Sequence, residues 1–152
     1  MTANPVEGCE LCELPGGEIV WADDLCRVVR VVDGQAGDYP GFCRVIWQAH
    51  VREMTDLTAA ERRHLMALVF ATEAALRVHF RPYKINLASL GNVVPHLHWH
   101  VIPRFSDDPH FPAPIWAEAK REAVTSRAGV ANMALRQAIV QALAEEQGGG
   151  IV

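Results

Sequence analysis

The chain has 152 residues, 50% of them hydrophobic, and carries a formal net charge of −4. That is enough apolar material for one core, so we expect one domain over residues 1–152. The acidic balance excludes the basic footprint that extended nucleic acid needs. No apolar run reaches the roughly 18 residues of a membrane span.

Residues 1–8 read as a short mobile tail, with no basic start followed by an apolar stretch, so no signal peptide is visible and a cytoplasmic location is expected. Cys9-Glu10-Leu11-Cys12 follows as a C-x₂-C pair on a turn, and Gly16-Gly17 breaks the chain. Ile19–Trp21 and Cys26–Val32 have strand composition, rich in β-branched residues. A loop from Asp33 to Gly41 leads to a third strand, Phe42–Trp47, with His50 just beyond. Thr58-Ala59-Ala60-Glu61 has the spacing of a capping box. After it Leu65, Leu68, Val69, Thr72, Leu76 and His79 or Phe80 recur at helical intervals. The spacing predicts an amphipathic helix of about six turns, ended by Arg81-Pro82.

Lys84–Leu90 reads as another strand, and Gly91–Pro95 turns the chain into His96–Arg104. A short connection implies antiparallel pairing. A turn centred near Val93 sets Asn86 opposite His100 and Ala88 opposite His98, which puts Asn86 on the histidine face. The three prolines of 106–116 argue against regular structure, residues 117–128 are charged and mixed, and Val130–Glu146 reads as a second helix with Leu135, Ala138, Ile139, Ala142 and Leu143 on one side. Gly148–Gly150 reads as a frayed end. The sum is an α+β domain: an antiparallel meander sheet of about five strands with two main helices.

His96, His98 and His100 alternate with Leu97, Trp99 and Val101. On a strand, a period of two places the imidazoles on one face and the apolar residues on the other. Three such histidines could hold one catalytic zinc. Alternatively one is a nucleophile, with Nδ1–H fixed by a carbonyl and Nε2 free to attack phosphorus, while a neighbour donates a proton to the leaving group. Asn86 and the backbone of 91–94 could bind phosphate oxygens. Zinc, a redox pair and coincidence all remain open for Cys9 and Cys12; zinc would need two more ligands, with His50 and His96 the natural candidates. Cys26 and Cys43 fit buried thiols, His64 and His79 surface or boundary positions, and Trp47 and Trp116 core positions. His110 could touch substrate, and Asp33 or Asp38 could reach a ribose hydroxyl, though both are also ordinary turn residues.

His96-Leu97-His98-Trp99-His100-Val101-Ile102 fits the pattern His-φ-His-φ-His-φ-φ, with φ hydrophobic. Pro103-Arg104 follows it, and the strand Phe42–Ile46, His50, the helix capped at Thr58, Asn86 and Gly91-Asn92 precede it. In this pattern and order, residues 9–104 resemble the histidine-triad (HIT) family, in the branch of dinucleoside polyphosphate hydrolases and nucleoside phosphoramidases. The resemblance implies an α+β meander sheet and a homodimer whose sheets join. It implies that His98 is the nucleophile and takes up a nucleoside monophosphate, that His100 binds the α-phosphate and assists the leaving group, and that Asn86 holds phosphate or ribose. It implies a structural zinc on Cys9, Cys12, His50 and His96, and no catalytic cofactor. Asn92 stands where relatives commonly carry Gln, and Gly41-Phe42 and Ile46-Trp47 replace the usual Gly-His and Ile-Pro. The alternative function is a nucleotide-binding or interaction protein with little turnover.

Overall fold

The computed structural model describes residues 4–124, 127 and 129–148. A one-turn helix, α1 (Glu10–Glu13), leads into β1 (Glu18–Ala22), β2 (Cys26–Arg30) and β3 (Cys43–Trp47). Helix α2 (Ala59–Phe80) precedes β4 (Lys84–Ala88) and β5 (His98–Arg104), and α3 (Asn132–Gly148) closes the described chain. The five strands form one antiparallel sheet in the order β1-β2-β3-β5-β4. The expected α+β architecture, an antiparallel sheet with two main helices, is the one observed.

The alternation of the strands divides the sheet into two different faces. Cys26, Val28, Cys43, Val45, Trp47 and Val101 point to one side, where they pack with Leu65, Leu68, Leu76, Leu135 and Ile139 of the two long helices. Cys26 and Cys43 are buried thiols, as expected, and burial pushes the Cys43 thiol up to about 12. The opposite face carries Arg44, Ile46, His98, His100, Ile102 and Arg104. Two smaller apolar clusters cover it: Cys9, Leu11, Val29 and Ile46, and Val31, Tyr39, Phe42, Ile102 and Ile115.

The capping box forms as the sequence predicts. The Thr58 N–H donates to Glu61 Oε2 at 2.7 Å and the Glu61 N–H to Thr58 Oγ1 at 3.2 Å. The helix stops at Arg81, which takes a left-handed conformation (φ +47°) before Pro82.

Four expectations need correction. Cys9 and Cys12 flank and enter a helical turn rather than a plain turn; the single turn fits ahead of Pro15 because the buried Arg27 guanidinium takes the carbonyls of Leu11, Leu14 and Pro15. The segment of residues 4–8 is exposed but tied down at two points, since Val6 accepts from the Cys9 N–H and the Gly8 N–H donates to Glu13 Oε1 at 2.7 Å. His96 precedes β5 instead of lying in it. The β4–β5 register is Ala88 opposite His100 and Asn86 opposite Ile102. Parity is kept, so Asn86 stays on the histidine face, but it sits two residues further from His98 than the symmetrical turn implied. The expected frayed end falls largely on residues 149–150, outside those described.

Candidate active site

The two histidines of β5 are placed by its neighbour. His100 lies opposite Arg44 and His98 opposite Ile46 in the β3–β5 ladder. Both imidazoles are buried, at 8% and 7% exposure, with ring centroids 4.9 Å apart. His98 Nδ1–H donates to the carbonyl of His96 at 2.6 Å. A carbonyl can only accept, so the proton is held on Nδ1 and the lone pair on Nε2. Burial lowers the pKa of His98, and the charge of Arg44 adds to the effect against the hydrogen bond to His96. Burial, then His98 and Arg44, brings His100 down to about 3. His100 is therefore a neutral imidazole at physiological pH, and its Nδ1 is buried without a hydrogen-bond partner among the described residues.

These rings open on a cavity of about 290 Å³ lined by Arg44, Leu90, the 91–94 turn, His98, His100, Glu10, Leu11 and Trp116. Gly91 (φ +71°) lets the turn fold back as one wall. Trp116 forms another, its ring edge-on to His100 at 5.0 Å.

The segment carrying Trp116 is fixed by a buried polar knot. Arg104 Nε–H donates to Asp108 Oδ2 at 2.8 Å and Arg104 Nη2 to Asp108 Oδ1 at 3.0 Å. The same carboxylate accepts from the backbone N–H groups of Phe105, His110 and Phe111. Burial alone would raise Asp108, but Arg104 and these three N–H groups outweigh it and hold the carboxyl down to about 2. The Tyr39 hydroxyl lies 2.5 Å from His110 Nδ1 and 3.2 Å from Asp108 Oδ1.

Beside His98 and His100, four donor atoms converge. His96 Nδ1 is 3.5 Å from Sγ of both Cys9 and Cys12, and His50 Nδ1 is 3.4 Å from Cys12 Sγ. All four donor atoms lie within 4.8 Å of one another. Tetrahedral zinc, with bonds of about 2.3 Å to sulfur and 2.0 Å to nitrogen, sets nitrogen–sulfur edges near 3.5 Å. The donors are thus spaced and typed for a metal ion. His96 Nε2–H donates to the Trp47 carbonyl at 2.6 Å, the outer contact that aims a ligating imidazole.

A model of the HIT domain matches residues 16–107. The chain belongs to the HIT family. Among curated proteins, it is 36% identical over 81 aligned residues to an AP-4-A phosphorylase of Mycobacterium tuberculosis; the match takes in 47% of this chain and 40% of that protein. The chain thus matches well under half the length of this relative. A HIT protein from Marinobacter aquaeolei VT8 is 26% identical, with a TM-score of 0.64 over 92% of this chain and 93% of that one. One from Sinorhizobium meliloti 1021 is 25% identical, with a TM-score of 0.62 over 90% and 93%.

Of the residues singled out in this HIT chain, the structure brings His98, His100 and Asn92 to one cavity. It gathers Cys9, Cys12, His50 and His96 into a second cluster. His96 spends both ring nitrogens on that cluster and on Trp47, so the three triad imidazoles do not converge on one metal. Asn86 faces a neighbouring hollow along β4, with Oδ1 accepting from Arg104 Nη1 at 2.7 Å. Asp38 and Asp33 do not line the histidine cavity; Asp33 closes a turn to Ala36. His110 is buried against Tyr39. Trp47 joins the core as expected, whereas Trp116 is 47% exposed and lines the cavity. Sequence reading missed Arg44, which shows only as one cation among apolar strand residues. It also missed the Arg104–Asp108 pair, visible only as an i, i+4 spacing with no helix to make that spacing meaningful.

Proposed function

We propose that this protein is a nucleotide hydrolase or nucleotidyl transferase. It cleaves at the α-phosphate of a dinucleoside polyphosphate or nucleoside phosphoramidate through a covalent nucleotidyl-His98. The observation that carries this reading is the 2.6 Å bond from His98 Nδ1 to the His96 carbonyl, which leaves Nε2 as the nucleophilic atom in a cavity.

In the first step Nε2 bonds to the α-phosphorus while the bond to the leaving oxygen or nitrogen breaks, its electron pair departing with that atom. Water, or another acceptor, then attacks the phosphorus and frees His98. His100, neutral and adjacent, donates a hydrogen bond to the phosphoryl oxygen or leaving atom. The Asn92 amide and the 91–94 backbone fit the phosphate oxygens. With its carbonyl taken by Arg104, Asn86 offers its amide N–H groups to a substrate hydroxyl. The Mycobacterium relative, an AP-4-A phosphorylase by name, supports a dinucleotide as substrate.

The test is turnover of an adenosine dinucleotide or adenosine phosphoramidate, followed by acid-quench trapping of nucleotide on the protein. His98→Ala is expected to lower turnover by roughly 10³-fold or more and to abolish trapping. Undiminished turnover in that variant rules out His98 as nucleophile, and tight mononucleotide binding without product favours a binding protein.

We assign the Cys9, Cys12, His50 and His96 cluster to a structural zinc. It would clamp the segment before β1 onto the start of β5 and supply folding energy rather than chemistry.

A further inference from the structure

We propose that Arg44 is a substrate-binding residue that selects leaving groups bearing negative charge, a phosphate chain over an uncharged amine. The proposal rests on the function proposed above and narrows it.

Arg44 stands directly across the β3–β5 ladder from His100, on the same face, and lines the cavity. Among the described residues it is the only Arg or Lys lining the cavity. Its Nη1 donates to the Gly16 carbonyl at 2.9 Å, and its guanidinium carbon lies 5.8 Å from the Phe42 ring centroid. These contacts hold the group in place without neutralising it, and Arg44 takes part in no ion pair among the described residues. Glu10, the one carboxylate lining the cavity among the described residues, is exposed. A partly buried guanidinium with unspent donors is suited to phosphate oxygens, which it can take two at a time.

The neighbour gives the second argument. His100 is neutral, with a pKa brought down to about 3, and Arg44 is among the causes. An amine leaving group needs a proton as its bond to phosphorus breaks. A departing phosphate does not; it leaves with the electron pair on oxygen, as an anion. A fixed cation beside a weakly basic imidazole serves the second case better than the first.

The experiment uses two substrates sharing one adenosine 5′-phosphoryl group: an adenosine dinucleotide with a polyphosphate bridge, and adenosine 5′-phosphoramidate. The readout is the ratio of kcat/KM between them, for the wild type, Arg44→Met and Arg44→Lys. Arg44→Met is expected to shift the ratio about 30-fold toward the phosphoramidate, and Arg44→Lys by roughly 5-fold, the charge being kept and the fork lost. Added salt should weaken the wild type on the dinucleotide more than Arg44→Met. An unchanged ratio overturns the proposal, even if both rates fall together. If Arg44→Met does not fold, Arg44→Lys decides by the same ratio. If the wild type turns over neither substrate, the function proposed above fails, and tripolyphosphate binding then decides Arg44. Calorimetry should show binding weakened at least about tenfold in Arg44→Met, or several-fold in Arg44→Lys, and equal binding overturns the anion site.

Discussion

Asp108 shows what one side chain can organise. Its two oxygens take Arg104 and three backbone N–H groups, so a loop with no regular structure is tied to the end of β5. Both partners are nearly inaccessible, at 1% and 2% exposure. Asp108→Asn leaves the Arg104 charge buried and uncompensated, and urea unfolding at pH 7 should show a loss of about 3 kcal/mol. The pH dependence has a definite sign. Asp108 is depressed to about 2 from an ordinary 3.8, so its contribution is complete above 3.8 and is lost as pH falls through 2. The difference between wild type and variant should shrink across that window. The variant should also lose activity, since Trp116 is carried on the same segment.

At the scale of the elements, the periodic parts were legible and the long-range parts were not. Helix α2 begins at its capping box, and Leu65, Leu68, Val69, Thr72 and Leu76 are all buried. Thr58→Ala is expected to cost about 1 kcal/mol in a thermal or chemical melt. His98 and His100 share a face because period two is a property of any strand. The register of Asn86 was not legible, because residues 89–97 form no tight hairpin. The chain kinks at His96, whose N–H donates to the Val94 carbonyl at 2.9 Å, and the centre of the connection moves along by one position. Arg44 and Trp116 reach the site through a partner strand and a knotted loop. Neither leaves a local signal in the sequence.

Over the whole molecule, the sheet separates support from chemistry. One face meets two helices; the other carries the histidine cavity and the Cys9, Cys12, His50 and His96 cluster, covered by the segments before β1 and after β5. No described helix is long and apolar enough to cross a membrane. The two clusters share a face, and the separate tasks proposed for them are told apart by metal content. Cys9→Ser should lose most bound zinc and melt at least about 5 °C lower, while His98→Ala keeps zinc at the wild-type ratio. Zinc lost with His98 instead would place the metal on the triad.

His96 reaches both clusters through different atoms. Its ring faces the cysteines; its main-chain oxygen holds the proton of His98. Every amino acid has that oxygen, so no substitution at position 96 deletes it. The side chain at position 96 can therefore drift, to cysteine or to nothing, with the His98 tautomer preserved wherever the backbone keeps its path. The proton placement at His98 is buffered against mutation at the very residue that supports it, so on the function proposed above metal binding and catalysis are free to evolve apart.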